Sequence, residues 1–405
     1  MSPAQPVRKQ KIKRRKSMLL PFAGIFLLCF GAVIYFRPLP SAKLQLSLAP
    51  VPPPQTISLD WPTFGQAALG SEQYGEIGTS GNNTPIATAS IAKVITALCV
   101  LEKKPIPAGE KGAVLTIQQI DVDNYQQQIA QNGSRLAVYQ GENMTEYEAL
   151  QALMVPSANN IADTLAVWAF GSMENYAAYA NAYLARHGLV STKVGKDASG
   201  LDPSTRSSAE DLMRLGLLAL KNPTLMEIAG QKEVTFTYGG TFTNYNTALG
   251  TYGITGLKTG NNDENPGALL FTASVSTGHQ PVQISGAVLG GDSLPQAITA
   301  AESLAASIPQ NFEVVQLVQK NKKVGTLKTA WGTSTDVFTR QGATITRWRS
   351  HSIRSKVTPY ETSGTTAGAV GKMDASTAGG RVTTEFATQQ PAPAPSAWWR
   401  LTHIR

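Results

Sequence analysis

The sequence predicts an α/β (α+β) domain, a mainly antiparallel sheet flanked by helices, followed by a small all-β domain. Three observations carry this. Helical patterning fills the middle of the chain, between an early pair of strand-like pieces and a late strand group. The texture turns to β after Lys232. A second change falls near Pro309, beyond which short strand candidates alternate with turn signals.

Seven of the 35 basic residues in this 405-residue chain lie between Arg8 and Lys16. The remaining 28 face 27 acidic residues, so the net charge of +8 belongs to the tail and the body is nearly neutral. No basic patch carries interleaved aromatics, and nucleic-acid binding is excluded from the reading. Residues 1–17 are expected to form a basic cytoplasmic tail. Met18 to Phe36 is an uncharged run of 19 residues, close to what a helix needs to cross a bilayer. Basic residues ahead of it place the N-terminus in the cytoplasm and the body outside. No A-x-A site follows, which favours a retained anchor over a cleaved signal. Residues 37–56, with prolines at 52–54, read as a stiff spacer. Cys29 falls in the apolar run and Cys99 in a run expected to be buried, so no disulfide is expected.

The compact body is expected to begin around Ile57 to Trp61 and to extend over residues 57–309. Gln66 to Ile77 offers short strands, and Gly81-Asn82-Asn83 marks a turn. Ser90 to Leu101, SIAKVITALCVL, is apolar on nearly every side and predicts a central buried helix. Thr145 and Glu148 form a capping box before ALQALMV, and Pro156 stops or kinks that helix. Glu174 to His187 reads as helix. Ser208 and Asp211 open another helix, and Asn222-Pro223 close it. Strands are expected at Glu233–Tyr238, Leu269–Val275 and Val282–Leu289. In residues 310–388 the candidates are 313–319, 324–328, 335–339 and 343–348, with Ser376 to Gly380 as a flexible loop. Residues 389–405 form a proline-rich tail ending in a tryptophan pair, Trp398 and Trp399.

Chemistry enters through the lone lysine of the apolar run. Ser90 and Lys93 are three apart, which on a helix puts hydroxyl and amine on one face. Burial pushes a lysine towards its neutral form, and a neutral amine beside a serine is a base beside a nucleophile. Two further motifs follow: Ser157-Ala158-Asn159 and Lys258-Thr259-Gly260. Order and placement make the S-x-x-K, S-x-N, K-T-G set specific where each alone is weak. No metal site is expected: His187, His279, His351 and His403 are scattered and no H-E-x-x-H occurs. Nor is there a phosphate-cradling glycine loop, and no cofactor is expected.

With PIATASIAKVITA, VPSANNIAD, DASGLD and GLKTG in this order, the chain resembles the low-molecular-mass penicillin-binding proteins, serine-type D-alanyl-D-alanine carboxypeptidases of peptidase family S11. The resemblance covers roughly residues 57 to 385. It implies a penicillin-binding, β-lactamase-like transpeptidase fold and removal of the terminal D-alanine from peptidoglycan stem peptides through an acyl-serine. β-Lactams become covalent inhibitors, and the enzyme sits in a bacterial cell membrane with its body outside. It also implies Ser90 as nucleophile, Lys93 as base, and Ser157 as proton relay. Asn159 would orient Lys93 and bind a substrate amide. Lys258 and Thr259 would meet the terminal carboxylate. Gly260 would admit the substrate backbone, and the backbone N–H groups of Ser90 and Asn261 would form the oxyanion hole. Two departures stand out: Asn261 replaces a frequent histidine, and the register puts Gln283 where the family uses an arginine. The rival readings are a class A-like β-lactamase, which needs a deacylating glutamate among Glu174, Glu210 and Glu227, and a non-catalytic membrane-tethered wall-binding module.

Overall fold

The computed structural model describes residues 10–278 and 280–403, with side chains from Phe22 onward. Residues 1–9, His279 and the last two residues lie outside the described set, as do the side chains of 18–21 in the expected span. The chain starts with the helix Gln10–Phe36. Among the described residues no helix is long and apolar enough to cross a membrane. The described part of this helix is nonetheless bare: Phe22, Phe26, Leu28 and Phe36 are each about two-thirds or more exposed.

The catalytic-type body is built on a five-stranded antiparallel sheet. Its order is Ile254–Gly260, Gly267–Val275, Val282–Gly291, Gln66–Ser71 and Gly75–Ser80. Both faces are covered, so the central strands are buried almost throughout instead of alternating. One face packs on Leu294–Ser307, a helix capped by Ser293. The other packs on a helical layer whose centre is Ala92–Lys103, buried continuously from Ala92 to Leu101. A helix apolar all round has to be surrounded, and here others surround it. These include Glu146–Met154, Asn159–Phe170, Met173–Arg186 and Ala209–Ala219. The Thr145–Glu148 capping box and the Ser208 cap both form. Asn222-Pro223 ends one helix and also opens another, Pro223–Ala229, with the Asn222 side chain as its cap and proline in the first turn. The helix Gln119–Ala130 had no apolar signal, because only Asp121 and Gln128 are buried on it.

The β-rich domain contains a six-stranded antiparallel sheet and a two-stranded one, Phe312–Val318 with Ala343–Trp348. The large sheet runs Lys43–Leu46, Lys323–Lys328, Ser334–Thr339, Gly380–Thr388, Gly368–Thr377 and Arg354–Pro359. Two expectations change here. The segment 376–380 is not a loose loop: the hairpin continues to the Thr377–Gly380 pair and turns over two residues. The segment 37–56 is not a free spacer. Lys43–Leu46 pairs along Lys323–Lys328, and Leu44, Leu46 and Leu48 pack on Val324, Leu327 and Phe386. Further along, the buried Arg347 donates to the carbonyls of Pro52 and Pro53 and pairs with Glu313.

Removing residues 1–40 is therefore expected to leave the melting temperature of the β-rich domain unchanged. Extending the deletion to residue 50 is expected to cost about 2–4 kcal/mol, from three partly buried leucines and a lost strand. Chemical denaturation of the two truncations checks this.

Candidate active site

Ser90 sits on the short helical turn Ala89–Ile91 that leads into Ala92–Lys103. The turn is forced by its neighbours. Ala89 has φ +46°, and Gly200 (φ +75°) abuts its carbonyl so closely that an added Cβ would lie 2.1 Å from that oxygen. Gly260 has a related duty: a Cβ there would meet the Thr88 carbonyl at 2.8 Å. The glycine thus lets the edge strand press on the serine turn, a reason the sequence alone did not supply.

The Lys93 ammonium is fully buried and donates three hydrogen bonds: to Ser90 Oγ at 2.8 Å, Asn159 Oδ1 at 2.7 Å and the Ser199 carbonyl at 2.9 Å. Burial brings its pKa down to about 7, against the opposing pull of Asp197 and Asp163. Each partner is itself restrained. Asn159 opens its helix and donates through Nδ2 to Gln128 Oε1 at 2.9 Å. The Ser199 carbonyl is fixed by Asp197, which accepts from the N–H groups of Gly200 and Asp202 and from the Ser199 hydroxyl. Asp163, one helical turn beyond Asn159, accepts from the Ala198 N–H at 3.3 Å. Burial foremost, and then the Asp197 charge, raises Asp163 to about 6.

Ser157 is 3% exposed, has φ +61° and has no partner for its Oγ. Lys258 lies on the sheet-edge strand, 2% exposed, and among the described residues Nζ reaches only the Thr259 carbonyl, at 3.3 Å. Burial, followed by the Lys93 charge, drives its pKa well below the ordinary lysine value. Ser90, Ser157, Asn159, Thr259 and Asn261 line one cavity of about 780 Å³, completed by the 131–134 segment and Tyr245. Lys93 and Lys258 stand behind its wall. Among the described residues no three His, Cys, Asp or Glu could hold a metal together.

The eight expected site residues thus converge. Gln283 does not join them: it pairs opposite Ser274 and donates to Ser274 Oγ, whereas Lys258 is level with Leu270 and Ala287. Gln283 is therefore away from the level of Lys258, and strand composition carries no mark of level. None of Glu174, Glu210 and Glu227 lines the cavity: Glu210 pairs with Arg214, and Glu227 accepts from Tyr147. Sequence reasoning missed Gln128, Asp163 and the Ser199 carbonyl. The i,i+4 spacing of Asn159 and Asp163 was a usable signal for Asp163; a backbone carbonyl leaves none.

The family model described as D-alanyl-D-alanine carboxypeptidase, peptidase S11, matches residues 67–292, more than half of the chain. The chain belongs to this family. S11 relatives include D-alanyl-D-alanine carboxypeptidase DacD of Escherichia coli, 28% identical over 203 residues, 49% of this chain and 51% of that one. DacF of Bacillus subtilis is 26% identical over 258 residues, 62% of this chain and 63% of DacF. The chain spans about half the length of DacD. Among solved structures, the Streptomyces K15 DD-transpeptidase superposes with a TM-score of 0.53 at 25% identity, over 62% of this chain and 97% of that one. Penicillin-binding protein 5 of Haemophilus influenzae, at 18% identity, shares the fold over 85% of this chain and all of its own, with a TM-score of 0.56.

If the Asp163 carboxylate sustains the Lys93 proton, Asp163→Asn should move the lysine titration midpoint below about 7. A carbon-13 NMR titration of the lysine ε-carbons reads this, with Lys93→Arg to assign the signal.

Proposed function

We propose that this S11 protein is a membrane-anchored serine D-alanyl-D-alanine carboxypeptidase that trims peptidoglycan stem peptides. The observation that carries the reading is the 2.8 Å contact from a buried, pKa-lowered Lys93 to Ser90 Oγ, at the wall of an open cavity. At neutral pH a group with pKa about 7 is half unprotonated, so it accepts the serine proton without strong bias against release.

In this reading Ser90 Oγ attacks the carbonyl of the penultimate D-alanine while its proton passes to Lys93 Nζ. The backbone N–H groups of Ser90 and Asn261 hold the developing oxyanion. Collapse expels D-alanine, whose amine takes a proton from the Lys93–Ser157–Lys258 group. The unpartnered Ser157 hydroxyl has the freedom such a relay needs. Water then opens the Ser90 ester, with Lys93 again as base. Thr259 and Lys258 receive the substrate's terminal carboxylate, and an arriving anion would favour the charged form of Lys258. β-Lactams, which mimic the dipeptide end, would acylate Ser90. None of Glu174, Glu210 and Glu227 is at the cavity, and the one glutamate that lines it, Glu264, is a half-exposed rim residue paired with Arg206, which favours a long-lived adduct over β-lactamase turnover.

The domain reading keeps residues 57–309 as the catalytic unit and 310–388 as the β-rich unit, with residues 18–36 as anchor and the N-terminus in the cytoplasm. The exposed apolar side chains of Phe22 to Phe36 support a lipid environment for that helix.

Fluorescent penicillin is expected to label the wild type and not Ser90→Ala. Release of D-alanine from a peptide ending in D-Ala-D-Ala should fall by at least about 10³-fold in the same variant. Lys93→Ala should lose acylation to a similar degree. Correctly folded wild type that neither labels nor releases D-alanine would leave the wall-binding module as the surviving account. The acid limb of the pH profile should have its midpoint near 7, activity rising with pH as Lys93 loses its proton.

A further inference from the structure

We propose that the β-rich domain carries a second binding site, for a phosphate-type oxyanion, at the open end of its last three strands. It shares no residue with the Ser90 cavity and does not depend on the activity proposed above. The site is a cavity of about 500 Å³ whose wall includes Ser350, His351, Ser352, Arg354, Ser376 and Thr377. That wall offers four hydroxyls, an imidazole and a guanidinium, with no carboxylate.

The strand register adds a second cation. Arg354 lies opposite Ser376, and Ser376 lies opposite Arg381 on the next strand. Residues directly opposite on neighbouring strands share a face, so two arginines flank one serine, their Cα positions about 10 Å apart. Neither guanidinium makes a hydrogen bond or ion pair among the described residues. Of the two acidic residues further along this face, Glu385 pairs with Arg340, and Asp374 feels the Arg381 charge only at longer range and is held by Lys372 and by the Thr383 hydroxyl. Two guanidiniums without a direct partner, separated by that distance, are spaced to grip a tetrahedral anion from both sides.

Two polar atoms beside the cavity also lack partners. His351 Nδ1 and Thr377 Oγ1 are shielded from solvent and have no hydrogen-bond partner among the described residues, where buried polar groups are almost always paired. Alternation turns Thr377 to the sheet face opposite Ser376 and the two arginines, so its hydroxyl backs the strand end and the arginines face the anion. Burial holds the His351 pKa below the usual imidazole value, so the ring is neutral and can donate through one nitrogen. A sugar would call for carboxylate and amide acceptors, which this wall does not have. Donors surrounded by excess positive charge select an oxyanion. The same phosphate chemistry is offered by an anionic wall polymer and by a lipid headgroup.

The test titrates inorganic phosphate calorimetrically against the full chain in detergent, comparing wild type with Arg354→Gln/Arg381→Gln. Both substitutions are on an exposed sheet face, and unchanged melting temperature and circular dichroism would show that the variant is folded. Saturable binding by wild type, weakened about tenfold or more in the double variant, is expected. Equal affinity in both proteins, or no saturation at tens of millimolar, overturns the site. Co-sedimentation with a glycerol-phosphate polymer and with phosphatidylglycerol vesicles distinguishes the sources. Retention that needs both arginines identifies the source, and retention indifferent to them in both assays also overturns the proposal.

Discussion

The site depends on one buried ammonium. Lys93 is inside the protein without a carboxylate in direct contact, which is costly unless every proton finds an acceptor. Its three acceptors come from three separate segments: the serine turn, the start of the Asn159 helix and the loop at Ser199. The amine therefore fixes the relative positions of those segments, and they in turn fix the amine. Gln128 behind Asn159 and Asp197 behind Ser199 extend the restraint outwards. A base aimed at a nucleophile needs this kind of support, since a small displacement removes proton transfer.

Lys258 makes the arrangement electrostatically tense. Burial lowers the pKa of both lysines, and the Lys93 charge lowers that of Lys258 further. Backbone strain sits at the same place. Ala89 and Ser157, neither a glycine, have φ of +46° and +61°, conformations that cost of order 1–3 kcal/mol each where the surroundings hold them. The glycines at 200 and 260 let backbone close in on the Ala89 turn from two sides. Stability stored in the apolar helical layer is thus spent on a tense, ordered pocket.

How far this was legible in sequence depends on the kind of interaction that made each part. The helix from Ala92 was legible because ten successive buried residues leave a continuous apolar run. The Thr145 and Ser208 caps were legible because side-chain caps have fixed spacing. Gln119–Ala130 was not, since it buries polar side chains, and the strands beyond residue 350 were not, since much of their surface is exposed. Levels between strands were also hidden: hydrogen-bond register decided that Gln283 faces Ser274, and alternation fixes a face without fixing a level. The site itself read well because three short motifs each carry their own chemistry, while Ser199 contributes a carbonyl that any residue could offer.

The segment between the first helix and the body shows the same contrast, with a mechanical consequence. Prolines made residues 37–56 look like a spacer, but Lys43-Leu44-Gln45-Leu46 alternates as a sheet-edge strand does, and Leu44 and Leu46 reach the β-rich core. Arg347 grips Pro52 and Pro53, and Asn311 binds both the N–H and the carbonyl of Ser58. At the other end, Arg400 of the short helix Ala397–Thr402 donates to the Tyr35 carbonyl and lies over the Tyr35 ring. Chain leaving the first helix is thus clamped at several points, by the β-rich domain and by the C-terminal tail that follows it. A flexible tether would let the catalytic cavity sample a volume set by linker length. A folded one holds it at a set distance and orientation from the first helix, and the β-rich domain is the part that sets them.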